Sequence, residues 1–419
     1  MLILYVLFCF LISLGFAEYF KHRHNLKKIP VRIHVNGTRG KSSVTRLIAA
    51  ALKAHGIRVF AKTTGTLPRM ILPDGREYPV YRPAGANIIE QLRIVSLSAE
   101  HSAEALVIEC MALQPNLQSL CELKIVKATH GVITNARADH LDVMGPNERD
   151  VVRALLGTTP VKARLYTCER DYIGEFEETC KDRATELIAI SPEQRDDISD
   201  EEMEGFSYVE HKDNVALALK LTSDLGVPRE VALRGMYEVA ADVGALNEYT
   251  IEYFGRELIF VNGFAANDPE STEMIWDLCL ARHADADRKI MIINCRSDRP
   301  DRTLQLSDSI IEWKEADYYI LIGSGSYPLM RRVVDGGIDS SRLIYAERMS
   351  VGQIFEELLS VSGKRTMFLG VGNIKGPGLE LVRYFKNRVD PHQEGAVQPM
   401  VMSGPSNEST SNQPENTSK

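Results

Sequence analysis

Lys41 and Ser42 close a stretch whose residue types suit phosphate binding, Gly37-Thr38-Arg39-Gly40-Lys41-Ser42. Its glycines let successive backbone N–H groups point into one hollow, and a helix starting at the rim adds partial positive charge. Lys41 is then placed to reach β- and γ-phosphates, and the Ser42 hydroxyl to take a position on Mg²⁺. The spacing is not that of an ordinary Walker A loop, which wants glycine where this chain has Val35. Residues 37–43, Ser43 included, are the candidate nucleotide-binding set.

Two further clusters carry groups a phosphate site needs. Glu109 ends an apolar run, and Asp139, His140 and Asp142 follow the next one. Ligands of open α/β sheets sit beyond such strand ends. Oxygen ligands suit Mg²⁺, and a neutral imidazole can serve as another. Taken singly, Glu109 reads as a strand-end charge and His140 as a surface histidine; their placement beside Lys41 favours a functional role for both. Further on, Arg296, Arg299 and Arg302 follow another apolar run. Such a cluster can grip carboxylates bidentately, or it can be a solvated charged loop.

The elements that must position these groups alternate. Buried-strand patterns recur at 31–35, 58–62, 105–109, 131–134 and 164–167, separated by helical patterns such as 88–98 and 148–156. That alternation predicts an α/β fold with a doubly wound parallel sheet. A helix over 214–225, stopped by Gly226 and Pro228, is its late element. A second, smaller α/β domain takes strands at 257–261, 289–293, 318–322, 342–345 and 366–369. The expected organisation is a membrane anchor at 1–20, a basic linker at 21–29, a nucleotide-binding domain at 30–243, a C-terminal α/β domain at 244–388 and a disordered polar tail at 389–419. The first seventeen residues carry no charge and the cations come after them, the reverse of a cleavable signal. By the positive-inside rule this is one transmembrane helix with the rest of the chain in the cytoplasm.

Composition narrows the class. A net charge of −8 and few aromatics argue against a nucleic-acid partner. Seven cysteines without a C-x-x-C pair argue against a zinc site or a disulfide framework.

Gly37–Ser42, Glu109, Asn135-Ala136-Arg137-Ala138-Asp139-His140-Leu141-Asp142 and Asn214 together resemble the Mur ligase superfamily, whose members join an amino acid to a carboxylate using ATP. The anchor, Lys62-Thr63-Thr64-Gly65-Thr66, Glu109-Cys110-Met111-Ala112, Asp142-Val143-Met144-Gly145-Pro146, Val261-Asn262-Gly263-Phe264-Ala265-Ala266-Asn267-Asp268 and Gly370-Val371-Gly372-Asn373-Ile374 are most similar to the ligase subunits of bacterial poly-γ-glutamate synthases. The resemblance implies ATP and Mg²⁺ as cofactors, glutamate and a growing poly-γ-glutamate chain as substrates, and a multi-spanning membrane subunit as partner. It implies that Lys41 holds the phosphates, that Ser42, Glu109 and His140 surround Mg²⁺, and that Lys41, Glu109 and His140 form the catalytic set; it places Asn214 near the adenine, and Thr63, Thr64, Asn267 and the three arginines near substrate. Two departures stand out: Asn247 takes the place of a family arginine, and the 262–268 stretch lacks the family's aspartate and histidine. Two alternatives remain open here, a folylpolyglutamate-synthase-like ligase and a membrane-tethered P-loop ATPase that drives polymer assembly or export.

Overall fold

Runs such as Ala105–Glu109, buried at every residue, belong to parallel strands covered on both faces by helices. The computed structural model describes residues 2–65, 68–82, 85–206, 210–239, 247–264, 269–389 and 397–399. It divides into two units, 1–243 and 244–419.

The first unit holds one eight-stranded sheet: β1 Val31–Asn36, β2 Val59–Lys62, β3 Arg69–Ile71, β4 Glu77–Pro79, β5 Ala105–Glu109, β6 His130–Ile133, β7 Arg164–Thr167 and β8 Glu186–Ala189. The order is β4-β3-β2-β5-β1-β6-β7-β8. Strands β2, β5, β1, β6, β7 and β8 are parallel, while β3 and β4 add an antiparallel edge that the sequence reading did not anticipate. The turn between those two is Leu72-Pro73-Asp74-Gly75, closed by the Gly75 N–H on Leu72 O, with Gly75 at φ +89° where glycine is at ease.

Helix α1, Leu2–Lys28, runs unbroken through the stretch expected as a basic linker. The reason is that 21–29 is not uniformly polar. Leu26 and Ile29 are buried with Val95, Ala99 and Val126, and nothing breaks the helix before Pro30. The Arg32 guanidinium donates to Leu26 O and Ile29 O at its C-terminal end. Helices α2 Lys41–Ala54, α3 Ile89–Glu100 and α4 Pro115–Leu120 follow, α4 running into a π-helical turn, Cys121–Val126. Next come α5 Leu141–Met144 and α6 Glu148–Leu156, then the later helix Lys212–Asp224.

The second unit holds a seven-stranded sheet: β9 Asn247–Tyr253, β10 Arg256–Asn262, β11 Arg288–Cys295, β12 Tyr318–Gly323, β13 Leu343–Tyr345, β14 Arg365–Gly372 and β15 Val397–Pro399, in the order β13-β12-β11-β14-β10-β9-β15. Its core includes Phe260 stacked on Phe385 at 4.6 Å between centroids. Strand β15 lies within the expected disordered tail and pairs antiparallel with β9.

Candidate active site

Strands β5, β1 and β6 are neighbours, so the three clusters read from sequence end side by side at one edge of the sheet. The loop after β1 is tightly fixed there. A side chain at Gly37 would come within 2.0 Å of Thr134 Oγ1, and one at Gly40 within 2.5 Å of Asn214 Oδ1. Both glycines also sit at positive φ, +131° and +76°. Asn135 laces the loop to the end of β6: its Oδ1 accepts from Thr38 Oγ1 at 2.7 Å and from the Arg39 N–H at 3.0 Å. Lys41 Nζ reaches back over the hollow to Gly37 O at 2.6 Å and Thr38 O at 3.2 Å. Ser43 lies in the same first turn of α2. Asn214 is buried against the loop and donates to Glu210 Oε1 at 2.8 Å.

Glu109 is the meeting point of two other segments. Its buried Oε2 accepts from Ser42 Oγ at 2.8 Å and from the Thr64 N–H at 2.7 Å. Gln91, on α3, donates to Glu109 O at 3.1 Å. The Thr64 contribution is thus its backbone. Thr63 is fully buried and its hydroxyl accepts from the Arg69 N–H, so that side chain secures the start of β3.

Lys62, the first residue of the Lys62–Thr66 stretch, is fully buried at the end of β2, with Nζ 2.7 Å from Glu90 Oε1. Glu90 is also held by Arg82, at 2.6 and 3.0 Å. Burial pushes the Lys62 ammonium below its ordinary value, against the opposing pull of Glu90 and Glu109. Burial pushes the Glu90 carboxyl up, but Arg82 and Lys62 outweigh it and hold it down. A lysine followed by threonines gave no sign of such a pair, because Glu90 is distant in sequence.

His140 caps α5 at φ +50°, with Nε2 4.0 Å from Asp139 Oδ1; Asp139 in turn lies 3.4 Å from the Arg39 guanidinium. Among the described residues, no three His, Cys, Asp or Glu side chains gather as a metal cluster. One carboxylate beside one hydroxyl at a phosphate loop still suits Mg²⁺, which keeps waters and takes its other oxygens from phosphates.

In the second unit the expected arginines fall on the loop after β11 and the helix Pro300–Ile310. Arg296 Nε pairs with Asp298 at 2.9 Å, Arg299 is the N-cap of that helix, and the Arg302 guanidinium donates to Asn373 Oδ1 at 3.3 Å. Asn373 follows β14, so Arg302 ties the helix after β11 to the end of the adjacent strand β14. Asn267 lies outside the described residues.

Residues 35–239 match the Mur ligase middle domain family, and 248–388 the poly-gamma-glutamate synthase CapB C-terminal domain. The chain is 36% identical to the PGA synthase CapB of Bacillus subtilis, across 90% of this chain and 96% of that protein. It is 37% identical to the capsule biosynthesis protein CapB of Bacillus anthracis, across 89% and 80%. In fold it is similar to E. coli FolC in complex with DHPP and ADP (TM-score 0.63, 14% identity, 88% of this chain and 92% of that one). It is likewise similar to MurF from Acinetobacter baumannii (TM-score 0.58, 14% identity, 89% and 80%).

Proposed function

The chain belongs to the CapB family of poly-γ-glutamate synthases, and from that premise we propose that the strand-end crevice of its first unit activates a glutamate γ-carboxylate with ATP. It is an ATP-dependent amide ligase that polymerises glutamate. The observation that carries the site assignment is the Ser42–Glu109 contact beside the Lys41 loop. A γ-carboxylate oxygen attacks the γ-phosphorus, ADP leaves, and an acyl phosphate forms. The amine of the next glutamate attacks the acyl carbon, phosphate leaves, and the nitrogen sheds a proton to give the amide.

Such transfer rests on positioning and on charge neutralisation. The loop N–H groups and Lys41 meet the phosphates, and Asn135 keeps the loop in shape. Ser42 and Glu109, with His140 as a further candidate ligand, would hold a Mg²⁺ ion, which would supply positive charge against phosphate. Asn214 borders the nucleotide. In the first unit the Thr64 loop borders the carboxylate to be activated; in the second, Asn267, Arg296, Arg299 and Arg302 are the candidate groups for binding a glutamate carboxylate. Helix α1 is the one helix among the described residues long and apolar enough to cross a membrane. It anchors the catalytic units on the cytoplasmic side, next to a multi-spanning subunit that carries the polyanion out, since carboxylates do not cross hydrocarbon unaided.

The test incubates membranes holding this chain with ATP, Mg²⁺ and labelled glutamate. Expected are glutamate-dependent ADP release and high-mass label that resists ordinary proteases and yields to a γ-glutamyl hydrolase. Label appearing on a folate, or ATP turnover indifferent to glutamate, overturns the reading.

A further inference from the structure

Helix α1 docks on the first unit with a definite direction. Two residues, Ile29 and Pro30, separate its end from β1, so a helix packed on the sheet must run back along that strand. Its N-terminal part therefore leaves the unit on the side where β1 ends, the side of the phosphate loop. Helix α3 runs the same way, because its first turn meets the ends of β2 and β5 through Glu90–Lys62 and Gln91–Glu109.

The two helices can be aligned. Asn25 Nδ2 on α1 donates to Ser96 Oγ on α3 at 3.3 Å. Ser96 lies five residues beyond Gln91, about 7.5 Å along the helix. Stepping the same distance up α1 from Asn25 reaches Phe20, where the run of exposed apolar residues begins. The apolar segment thus starts level with the Glu109 carbonyl.

The surface at that level is apolar and aromatic. Ile89 is 64% exposed and Leu92 36%, both on the first turns of α3. Tyr81, 79% exposed, is held beside them by the Arg82–Glu90 pair. Tyr19 and Phe20 are exposed on α1. Aromatic and aliphatic side chains at one level next to a spanning helix fit the bilayer interface. Exposed Lys21, Arg23 and Arg93 near the same level suit anionic headgroups.

We propose that the phosphate-loop edge of the first unit rests against an anionic bilayer surface, with Tyr81, Ile89 and Leu92 entering the lipid interface beside Tyr19 and Phe20. The inference rests on the anchor reading above. It places polymer synthesis at the membrane-proximal edge of the sheet, so that a nascent polyanion emerges within reach of a spanning partner.

The test uses the full chain with Cys9→Ser, which removes the one exposed thiol among the described cysteines. A single new cysteine is introduced by Ile89→Cys or, at the other end of α3, by Glu100→Cys, about 16 Å away. Each carries an environment-sensitive dye in liposomes of phosphatidylcholine and phosphatidylglycerol containing a spin-labelled lipid. Flotation reports the anchor and quenching reports the orientation. Expected is flotation of both, with quenching at 89 at least threefold that at 100. Flotation with equal quenching, or stronger quenching at 100, overturns this proposal alone. Failure to float removes the anchor reading and this proposal together. Shielding of position 89 in native membranes but not in liposomes assigns the face to a protein partner and overturns the lipid assignment.

Discussion

Ser42 Oγ donates to Glu109 Oε2 over 2.8 Å, joining the first turn of α2 to the end of β5. The same oxygen takes the Thr64 N–H, so one buried carboxylate organises the phosphate loop and the loop after β2. Glu109→Gln keeps the volume and one acceptor oxygen but removes the charge. The expected result is a Mg²⁺ requirement raised about tenfold and turnover lowered about 10²-fold, as for a weakened hold on the cation that neutralises phosphate. Fold is retained, with the thermal midpoint within about 4 °C of wild type. His140→Ala, read by the same Mg²⁺ titration, is expected to raise the requirement more modestly. An unchanged metal dependence in either variant takes that residue out of the cation's shell.

Lys41→Ala is expected to lower glutamate-dependent ADP release by about 10²-fold or more, because no other ammonium contacts this loop among the hydrogen bonds described. The bonds it gives up, to Gly37 O and Thr38 O, are worth only about 1 kcal/mol each. A melting curve near wild type with activity lost is therefore the signature. Activity within a few-fold of wild type would remove the phosphate-loop assignment.

The parallel strands around the crevice were legible because buried strands read as continuous apolar runs, and 105–109 matches β5 residue for residue. Strands β3 and β4 were not legible: Arg69–Ile71 and Glu77–Pro79 are three residues each, too short to show a period. The turn chemistry at Pro73-Asp74-Gly75 was the available signal for them. The continuation of α1 through 21–28 was masked by its lysines, although Leu26, with Ile29 just beyond the helix, gives that stretch a buried side. At the candidate site, local motifs pointed to Lys41, Ser42 and Glu109, which the fold brings together. The contacts around them were not visible, because Asn135–Thr38 and Lys62–Glu90 join segments far apart in the chain.

The Lys62–Glu90–Arg82 cluster predicts an asymmetry. Lys62→Met leaves Glu90 paired with Arg82 and replaces a buried cation by an apolar chain of similar length. Glu90→Gln strips the fully buried Lys62 of its closest counter-charge. Breaking a buried pair by leaving one charge behind costs about 3–5 kcal/mol, whereas an apolar replacement is far milder. Chemical denaturation should therefore show Glu90→Gln less stable than Lys62→Met by about 2 kcal/mol or more. Equal losses would mean that Glu109 neutralises Lys62 as well as Glu90 does.

His34 and Glu122 make the deepest ionic contact described in the first unit, Nδ1 to Oε2 at 2.8 Å with both side chains buried. Burial alone pushes the imidazole down, but the neighbouring Cys110 and the Glu122 carboxylate bonded to it outweigh this and lift His34 from 6.5 to about 9. A folded-state value above the unfolded one stabilises the protein fully below the unfolded value, about 6.5, and loses that contribution as pH rises through about 9. Wild-type melts taken from about pH 6.5 to about pH 9.5 should show a falling midpoint through this group. In His34→Gln the imidazolium is gone, so stability should be lower by about 3 kcal/mol at the acid end, with a gap that narrows toward the alkaline end. Glu122→Gln keeps an acceptor oxygen for the Ala128 N–H, which Glu122 Oε1 holds at 2.8 Å, and should flatten the same pH slope. A gap between wild type and His34→Gln that stays constant across the range would show that His34 does not carry the proton.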